Sequence, residues 1–348
     1  MIRVGIAGIG FMGMTHYLAY PQSRGARVTA IAARDPVRRS GDWRGIKGNF
    51  GPPGTKMDLK GVRGYADWQE LVDDPDIDLI DICLPPAMHA EVAIAALNAG
   101  KHVFCEKPIS LDLADATRMV RAAQRAGKQL MIGHVLPFFP EYAFARQAIT
   151  GGKYGKLQGG HFKRIISDPL WLKDFYDPKR VGGPVLDLHI HDAHFIRLAC
   201  GMPRAVFSSG RMRGEVVEFV NTQFLFEDER MAVTAASGVI HQQGRPFTHA
   251  FEIYLERATL LYDSAVLDGK PAVLQPLCVL EANGRVTYPK LKPVDAFALE
   301  LREVVSAIKS GTPSSLLSGE LARDALAICH RETESVRKGA MVKIPKTS

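Results

Sequence analysis

Residues 1–13 read MIRVGIAGIGFMG. Ile2, Val4 and Ile6 recur at β-strand spacing and lead straight into Gly8-Ile9-Gly10-Phe11-Met12-Gly13, which predicts a strand, a tight turn and a helix start. The three glycines have separate duties. Gly8 permits the turn, Gly10 lets the backbone approach a pyrophosphate, and Gly13 lets the helix lie close on the strand, bringing phosphate to the helix N-terminus. Such a triplet is weak evidence on its own. Here a helix-compatible segment (14–20) and a second β-type run (26–33) follow it, as a dinucleotide-binding βαβ unit requires.

The alternation continues. Strand-like runs at 78–84, 102–105 and 129–133 are separated by helical stretches at 88–99 and 112–126, which Gly100 and Gly127 end. This predicts an α/β fold whose first domain, 1–133, is a doubly wound parallel sheet of the Rossmann type. At 348 residues the chain exceeds the usual single domain. From 156 onward strand candidates follow one another without intervening helices. In 247–256, Phe247, His249, Phe251, Ile253 and Leu255 occupy alternate positions, as in a half-buried antiparallel strand. Helices are predicted over 296–309 and 319–337, so the second domain, 134–348, is expected to be α+β.

One segment breaks the economy of this layout. Residues 40–64 (SGDWRGIKGNFGPPGTKMDLKGVRG) are rich in glycine and proline where a short connection would suffice. They follow the strand expected to end beside the adenosine ribose. Arg44 and Lys47 are therefore candidates to reach cofactor phosphate or substrate, the alternative being a surface or subunit-contact insertion.

Composition excludes several classes. Hydrophobic residues make up 46% and charged residues 23%, ordinary for a globular protein. The net charge of +7 comes from scattered lysines and arginines with no basic run, so no nucleic-acid partner is expected. No membrane association is expected either, since no apolar run approaches a membrane span and the N-terminus lacks a signal-peptide core. Five cysteines without a C-x-x-C pair point to a reducing cytoplasm.

Two segments carry chemistry. The run at 102–105 leads into Glu106-Lys107-Pro108, setting a lysine at the carboxyl end of a strand, where ligands of such sheets bind. Pro108 restricts the residue before it, so Lys107 is held. The second segment, 182–194, reads GGPVLDLHIHDAH. Pro184 suits a first helical turn and Gly201 a stop, and on an α-helix Asp187, His191 and His194 share one face. A carboxylate that orients an imidazole suits general acid–base work; the same three could hold a metal, or form a buried, satisfied histidine cluster.

The glycine fingerprint, Cys105-Glu106-Lys107-Pro108 and the glycine pair followed by Asp187 and His191 together resemble the glucose-fructose oxidoreductase, inositol dehydrogenase and rhizopine-catabolism (Gfo/Idh/MocA) family. The resemblance covers nearly the whole chain in the same order. It implies a Rossmann domain followed by an open, mostly antiparallel α/β domain, and oxidation or reduction at a carbon–oxygen centre of a sugar, polyol or glycoside. It makes Lys107, Asp187 and His191 the catalytic group, all three touching substrate. It sets Pro85 and His89 at the nicotinamide loop, with Glu106 and Lys107 beside the cofactor, and implies a homodimer or homotetramer. The chemistry fits: hydride leaves carbon for the nicotinamide while His191 takes the hydroxyl proton, Asp187 holds the ring and Lys107 stabilises negative charge on oxygen. Trp171, with Tyr176, is a candidate wall for a sugar ring, core packing being the alternative. No metal is required. His189 and His194 stand where many members carry glycine and aspartate, and 134–140 lacks an arginine common in the family.

The cofactor is read from the end of the second strand. NAD-binding relatives place an acidic residue there; this chain has Ala33 followed by Arg34, which favours NADP over NAD, while Asp35 keeps NAD open if the strand ends later. Competing readings are an NAD-dependent glycosidase-like enzyme that oxidises and eliminates, a non-catalytic dinucleotide-binding sensor or regulator, and a metal-dependent hydrolase.

Overall fold

The computed structural model of the protein describes residues 1–48 and 51–345. These form two compact units, Met1–Phe138 with Val294–Arg323, and Phe139–Pro293 with the residues from Asp324 on. This differs from the single cut expected at 133/134. The stretch Val294–Arg323 joins the first unit: Gln22 Nε2 donates to Asp295 Oδ2 at 3.1 Å and Arg302 Nε donates to the Gln22 carbonyl at 3.0 Å. Packing between segments so distant along the chain leaves no local pattern.

The first unit holds β1 (Ile2–Ala7), α1 (Phe11–Ala19), β2 (Ala26–Ala32), α2 (Pro36–Arg39), β3 (Arg63–Tyr65), α3 (Trp68–Asp73), β4 (Leu79–Ile82), α4 (Pro86–Asn98), β5 (His102–Glu106), α5 (Leu113–Ala126) and β6 (Leu130–Gly133). Its six strands run parallel in the order β3-β2-β1-β4-β5-β6, with the reversal between β1 and β4. Crossover helices cover such sheets on both faces, so the strands read as apolar runs. Asp81, fully buried in β4, and Glu106, buried at the end of β5, are buried carboxylates within them. Helix α1 starts at Phe11, three residues before the sequence reading, because Gly10 takes the N-cap. Helix α4 starts at Pro86, with proline in its first turn.

The 40–64 insertion is anchored rather than loose. Asn49 and Phe50 lie outside the described residues, but Trp43 is fully buried, donates from Nε1 to the Arg38 carbonyl at 2.8 Å and meets Tyr17 edge-on at 4.9 Å. A short antiparallel bridge, Asp42 to Lys56, closes its base. A Cβ on Gly48 would collide with the Phe11 ring, so the insertion lies directly on the glycine turn.

The second unit begins with α6 (Pro140–Thr150) and β7 (Leu157–Ser167), followed by a π-helical turn (Val185–His189) and α7 (Ile190–Cys200). Six longer strands follow: β8 (Ala205–Arg213), β9 (Val216–Leu225), β10 (Ala232–Ile240), β11 (Phe247–Leu255), β12 (Ala258–Leu267) and β13 (Lys270–Glu281). Short β14 (Val286–Thr287) and β15 (Val342–Lys343) complete a nine-stranded sheet in the order β14-β13-β12-β11-β7-β10-β9-β8-β15. Only β7 and β10 pair in parallel. Helix α8 (Ala296–Ser310) belongs to the first unit, and α9 (Gly319–Lys338) ends in the second. The core of the second unit gathers Tyr142, Phe162, Phe195, Phe251 and Tyr262 in edge-to-face contacts.

Trp43→Ala is expected to destabilise the protein by about 3–5 kcal/mol, the usual cost of emptying a buried aromatic site. Equilibrium denaturation measures it; a change under about 1 kcal/mol would show that the insertion is not anchored through this ring.

Candidate active site

The glycine turn has the shape a dinucleotide needs. A Cβ on Gly8, at φ +99°, would stand 2.6 Å from the Cys83 carbonyl oxygen, and one on Gly13 would stand 2.0 Å from the Gly8 carbonyl oxygen. Neither position tolerates a side chain. At Gly10 a Cβ would meet nothing within 4 Å, so the turn is open on the side where a pyrophosphate would lie. No side chain caps α1 and its first turn carries no acid, leaving its amide groups to an anion. Phe11 and Met12 open the helix half-exposed beside this opening.

At the end of β2 the three arginines divide the work. Arg38 Nη1 donates to the Ile9 carbonyl at 3.0 Å and Arg39 Nη1 to the Ala33 carbonyl at 2.6 Å, so both brace the turn. Arg34 is exposed; its carbonyl accepts from Arg39 Nη1 at 3.3 Å. Asp35 caps α2, accepting from the Val37 amide at 2.9 Å. From the insertion, Arg44 reaches Asp42 (2.6 and 2.9 Å) and pulls its carboxyl down to about 2. Asp35, Arg38, Asp42 and Arg44 line an open groove of about 480 Å³; Lys47 is exposed outside it.

At the carboxyl ends of β4 and β5 the chain presents Pro85, exposed, and Lys107, half-exposed. Lys107 donates its backbone N–H to Glu106 Oε2 at 3.2 Å. His89 departs from the expected cofactor contact. Its ring is fully buried, with Nδ1 2.8 Å from the Pro108 carbonyl and Nε2 2.8 Å from the Leu84 carbonyl, so it braces the two loops from behind. Glu106 is buried and faces inward to His16, whose Nε2 lies 3.0 Å from Glu106 Oε1. Neither His16 nor Asp81 stood out in the sequence. The available signal was the acid inside the apolar run 78–84, because a charge buried in a parallel strand needs a partner.

In the second unit the π-turn displaces the expected helix face. Asp187 and His191 are both half-exposed, whereas His194 is fully buried, so the three do not converge as a ligand set. Among the described residues only His16, Asp81 and Cys83 bring ligand atoms that close together. His189, two residues before His191, is buried against Glu332 with Nε2 to Oε1 at 2.9 Å. Arg164 and Asp192 form a second buried pair, at 2.8 and 3.0 Å. Tyr176 is no ring wall: its hydroxyl donates to Asp168 at 2.8 Å and Arg213 covers its face at 3.8 Å. Trp171, by contrast, is 64% exposed.

Comparison with known proteins decides the family. Residues 2–134 match the oxidoreductase family with an NAD-binding Rossmann fold, and residues 142–261 match the GFO/IDH/MocA C-terminal domain. The chain belongs to the Gfo/Idh/MocA oxidoreductase family. It is 28% identical over 361 aligned positions to myo-inositol 2-dehydrogenase of Thermotoga maritima, covering 99% of this chain and 98% of that one. It is 32% identical over 257 positions to 1,5-anhydro-D-fructose reductase of Ensifer adhaerens, covering 71% and 74%. In fold it matches levoglucosan dehydrogenase in complex with NADH and levoglucosan, with a TM-score of 0.80 at 22% identity, covering 99% and 100%. A Gfo/Idh/MocA member is an NAD(P)-dependent oxidoreductase, as the sequence predicts, and the α/β architecture agrees with the reading from residues 1–13. Among the described residues no helix is long and apolar enough to cross a membrane.

Burial presses the His189 pKa down, but the Glu332 carboxylate outweighs it and holds the ring above its ordinary 6.5. The pair's stabilisation is complete below about pH 6.5, the unfolded value, and fades as pH rises through the raised folded value. Glu332→Gln is therefore expected to lower the thermal midpoint most near about pH 6, with the deficit shrinking as pH climbs toward about 9. A pH-independent deficit would contradict this pairing.

Proposed function

We propose that this protein is an NADP-preferring dehydrogenase or reductase acting on a secondary alcohol or the matching ketone of a sugar or polyol, with Lys107, Asp187 and His191 as its catalytic group. The relatives support the substrate class, being named for myo-inositol, 1,5-anhydro-D-fructose and levoglucosan. The observation that carries the reading is the pairing of an open glycine cradle with Lys107 held at the end of the same sheet. When bound, the nicotinamide supplies the hydride acceptor or donor. Gly8, Gly10, Phe11, Met12 and Gly13 hold the pyrophosphate, and Pro85, Glu106 and Lys107 border the nicotinamide end. His191 takes or returns the hydroxyl proton, Asp187 orients its ring or the sugar, and Lys107 stabilises negative charge on the reacting oxygen. Exposed Trp171 offers its face to a sugar ring.

The NADP preference rests on the end of β2. The strand stops at Ala32, the next position is Ala33 rather than an acid, and Asp35 is occupied as a helix cap. The exposed Arg34 side chain is left for a 2′-phosphate, while Arg44, paired with Asp42, lines the groove with Asp35 and Arg38. The strands of the second unit expose Phe207, Met212, Tyr254 and Val273, which supports a subunit interface in a homodimer or homotetramer. The five cysteines are free, in keeping with a reducing cytoplasm.

Lys107→Met and His191→Ala are each expected to lower turnover of a responsive polyol at least ~100-fold, in a panel that starts with myo-inositol. Near-normal rates in both would refute the catalytic assignment. Net change in cofactor absorbance during turnover separates this reading from a redox-neutral glycosidase. Arg34→Ala is expected to weaken NADPH binding about tenfold or more, the scale of a charged hydrogen bond, without affecting NADH. Fluorescence titration measures both; equal losses would remove the basis for the preference.

A further inference from the structure

Behind the sheet ends of the first unit, one imidazole stands among three carboxyl groups. His16 Nδ1 lies 3.1 and 3.0 Å from the two Asp81 oxygens, and its Nε2 lies 3.0 Å from Glu106 Oε1. His16, Asp81 and Glu300 are fully buried and Glu106 is 7% exposed. Asp81 lies within hydrogen-bond distance of Nδ1, and Glu106 stands at ion-pair distance from Nε2 without a hydrogen bond to it, an arrangement that favours the charged imidazolium. The remaining neighbours agree. Tyr20 donates its hydroxyl to Asp81 Oδ2 at 2.9 Å, the Cys83 sulfur lies 3.4 Å from His16 Nδ1, and Phe104 stacks on the ring at 5.3 Å. Burial and the neighbouring Glu106 push the Glu300 carboxyl well above the ordinary carboxylate range, against the pull of His16.

The cluster joins three elements that the proposed reaction uses. His16 comes from α1, whose N-terminus is the pyrophosphate seat; Asp81 comes from β4, just before the nicotinamide loop; Glu106 ends β5. Glu106 Oε2 in turn accepts the Lys107 backbone N–H. Gly133, paired with Glu106 across the sheet, makes room for this carboxylate, since a Cβ there would stand 3.0 Å from Glu106 Oε1.

We propose that His16 is a positioning residue, clamping the Glu106 carboxylate and through it the Lys107 turn in the geometry that hydride exchange requires. The proposal rests on the reading of Lys107 as catalytic. It assigns the two ring nitrogens unequal importance: Nε2, on Glu106, serves the reaction, and Nδ1, on Asp81, anchors the ring.

Two amide variants separate these roles. In His16→Gln the amide nitrogen substitutes for Nε2 and keeps the Glu106 link, whereas in His16→Asn it substitutes for Nδ1 and keeps only the Asp81 link. Measured on the full chain with the polyol selected by the panel above, kcat is expected to fall in the order wild type, His16→Gln, His16→Asn, with Asn at least about tenfold below wild type. NADPH affinity by fluorescence titration is expected to change less than about threefold in both. Wild-type kcat in both variants, or Asn matching or exceeding Gln, would overturn the proposal. Should neither variant fold, nitrogen NMR of ring-labelled wild-type protein still decides: both His16 nitrogens are expected to be protonated at about pH 8, above the usual imidazole pKa of about 6.5, and a neutral ring would overturn it. Failure of the underlying reading shows separately, as unimpaired turnover by Lys107→Met.

Discussion

The first unit depends on one close approach. Helix α1 lies so near the turn that formed it that a single added carbon at Gly13 would fall 2.0 Å from the Gly8 carbonyl oxygen. Because the helix starts at that distance, its amide groups face the opening at Gly10, and His16 is carried down to the level of Asp81 and Glu106. The open turn at Gly10 and the contacts of His16 with Asp81 and Glu106 thus belong to one short helix. Arg38, reaching from α2 to the Ile9 carbonyl, and Gly48, lying on Phe11, hold the turn from its other side.

What the sequence made legible was what short-range physics determines. Apolar runs with glycine stops marked the parallel strands and helices of 1–133, and the Gly8, Gly10 and Gly13 spacing marked the turn. Cap residues behaved as local chemistry requires: Asp112 accepts from the Ala114 and Asp115 amides, and Gly127 ends α5 in the left-handed region at φ +62°. The return of Val294–Arg323 to the first unit was not legible, because a helix pattern reports which face is apolar and not what covers it.

The second unit shows the same limit at closer range. Helical spacing set Asp187, His191 and His194 on one face, but the π-turn over Val185–His189 inserts extra residues into the turn and rotates that relation. Asp187 and His191 stay half-exposed while His189 and His194 go inside. A π-turn has no composition of its own. Buried His189 finds Glu332 from α9, a partner 143 residues away, and no periodicity announces such a pair.

The two units share a device. Two of the three residues proposed for catalysis stand close in sequence to a buried imidazole–carboxylate pair: Lys107 follows Glu106, paired with His16, and His191 lies two residues after His189, paired with Glu332. Desolvating two charges costs roughly what their attraction returns, so such pairs add little net stability compared with an apolar core of the same volume. Removing one partner is different, since it leaves an uncompensated charge in the interior. The pairs therefore disfavour arrangements that would separate the partners. A reacting lysine or histidine needs that property more than added stability, because a displacement of about 1 Å at a catalytic group costs on the order of 100-fold in rate. In both units the pair sits beside the reactive residue in sequence rather than including it. The side chains of Lys107 and His191 themselves remain half-exposed.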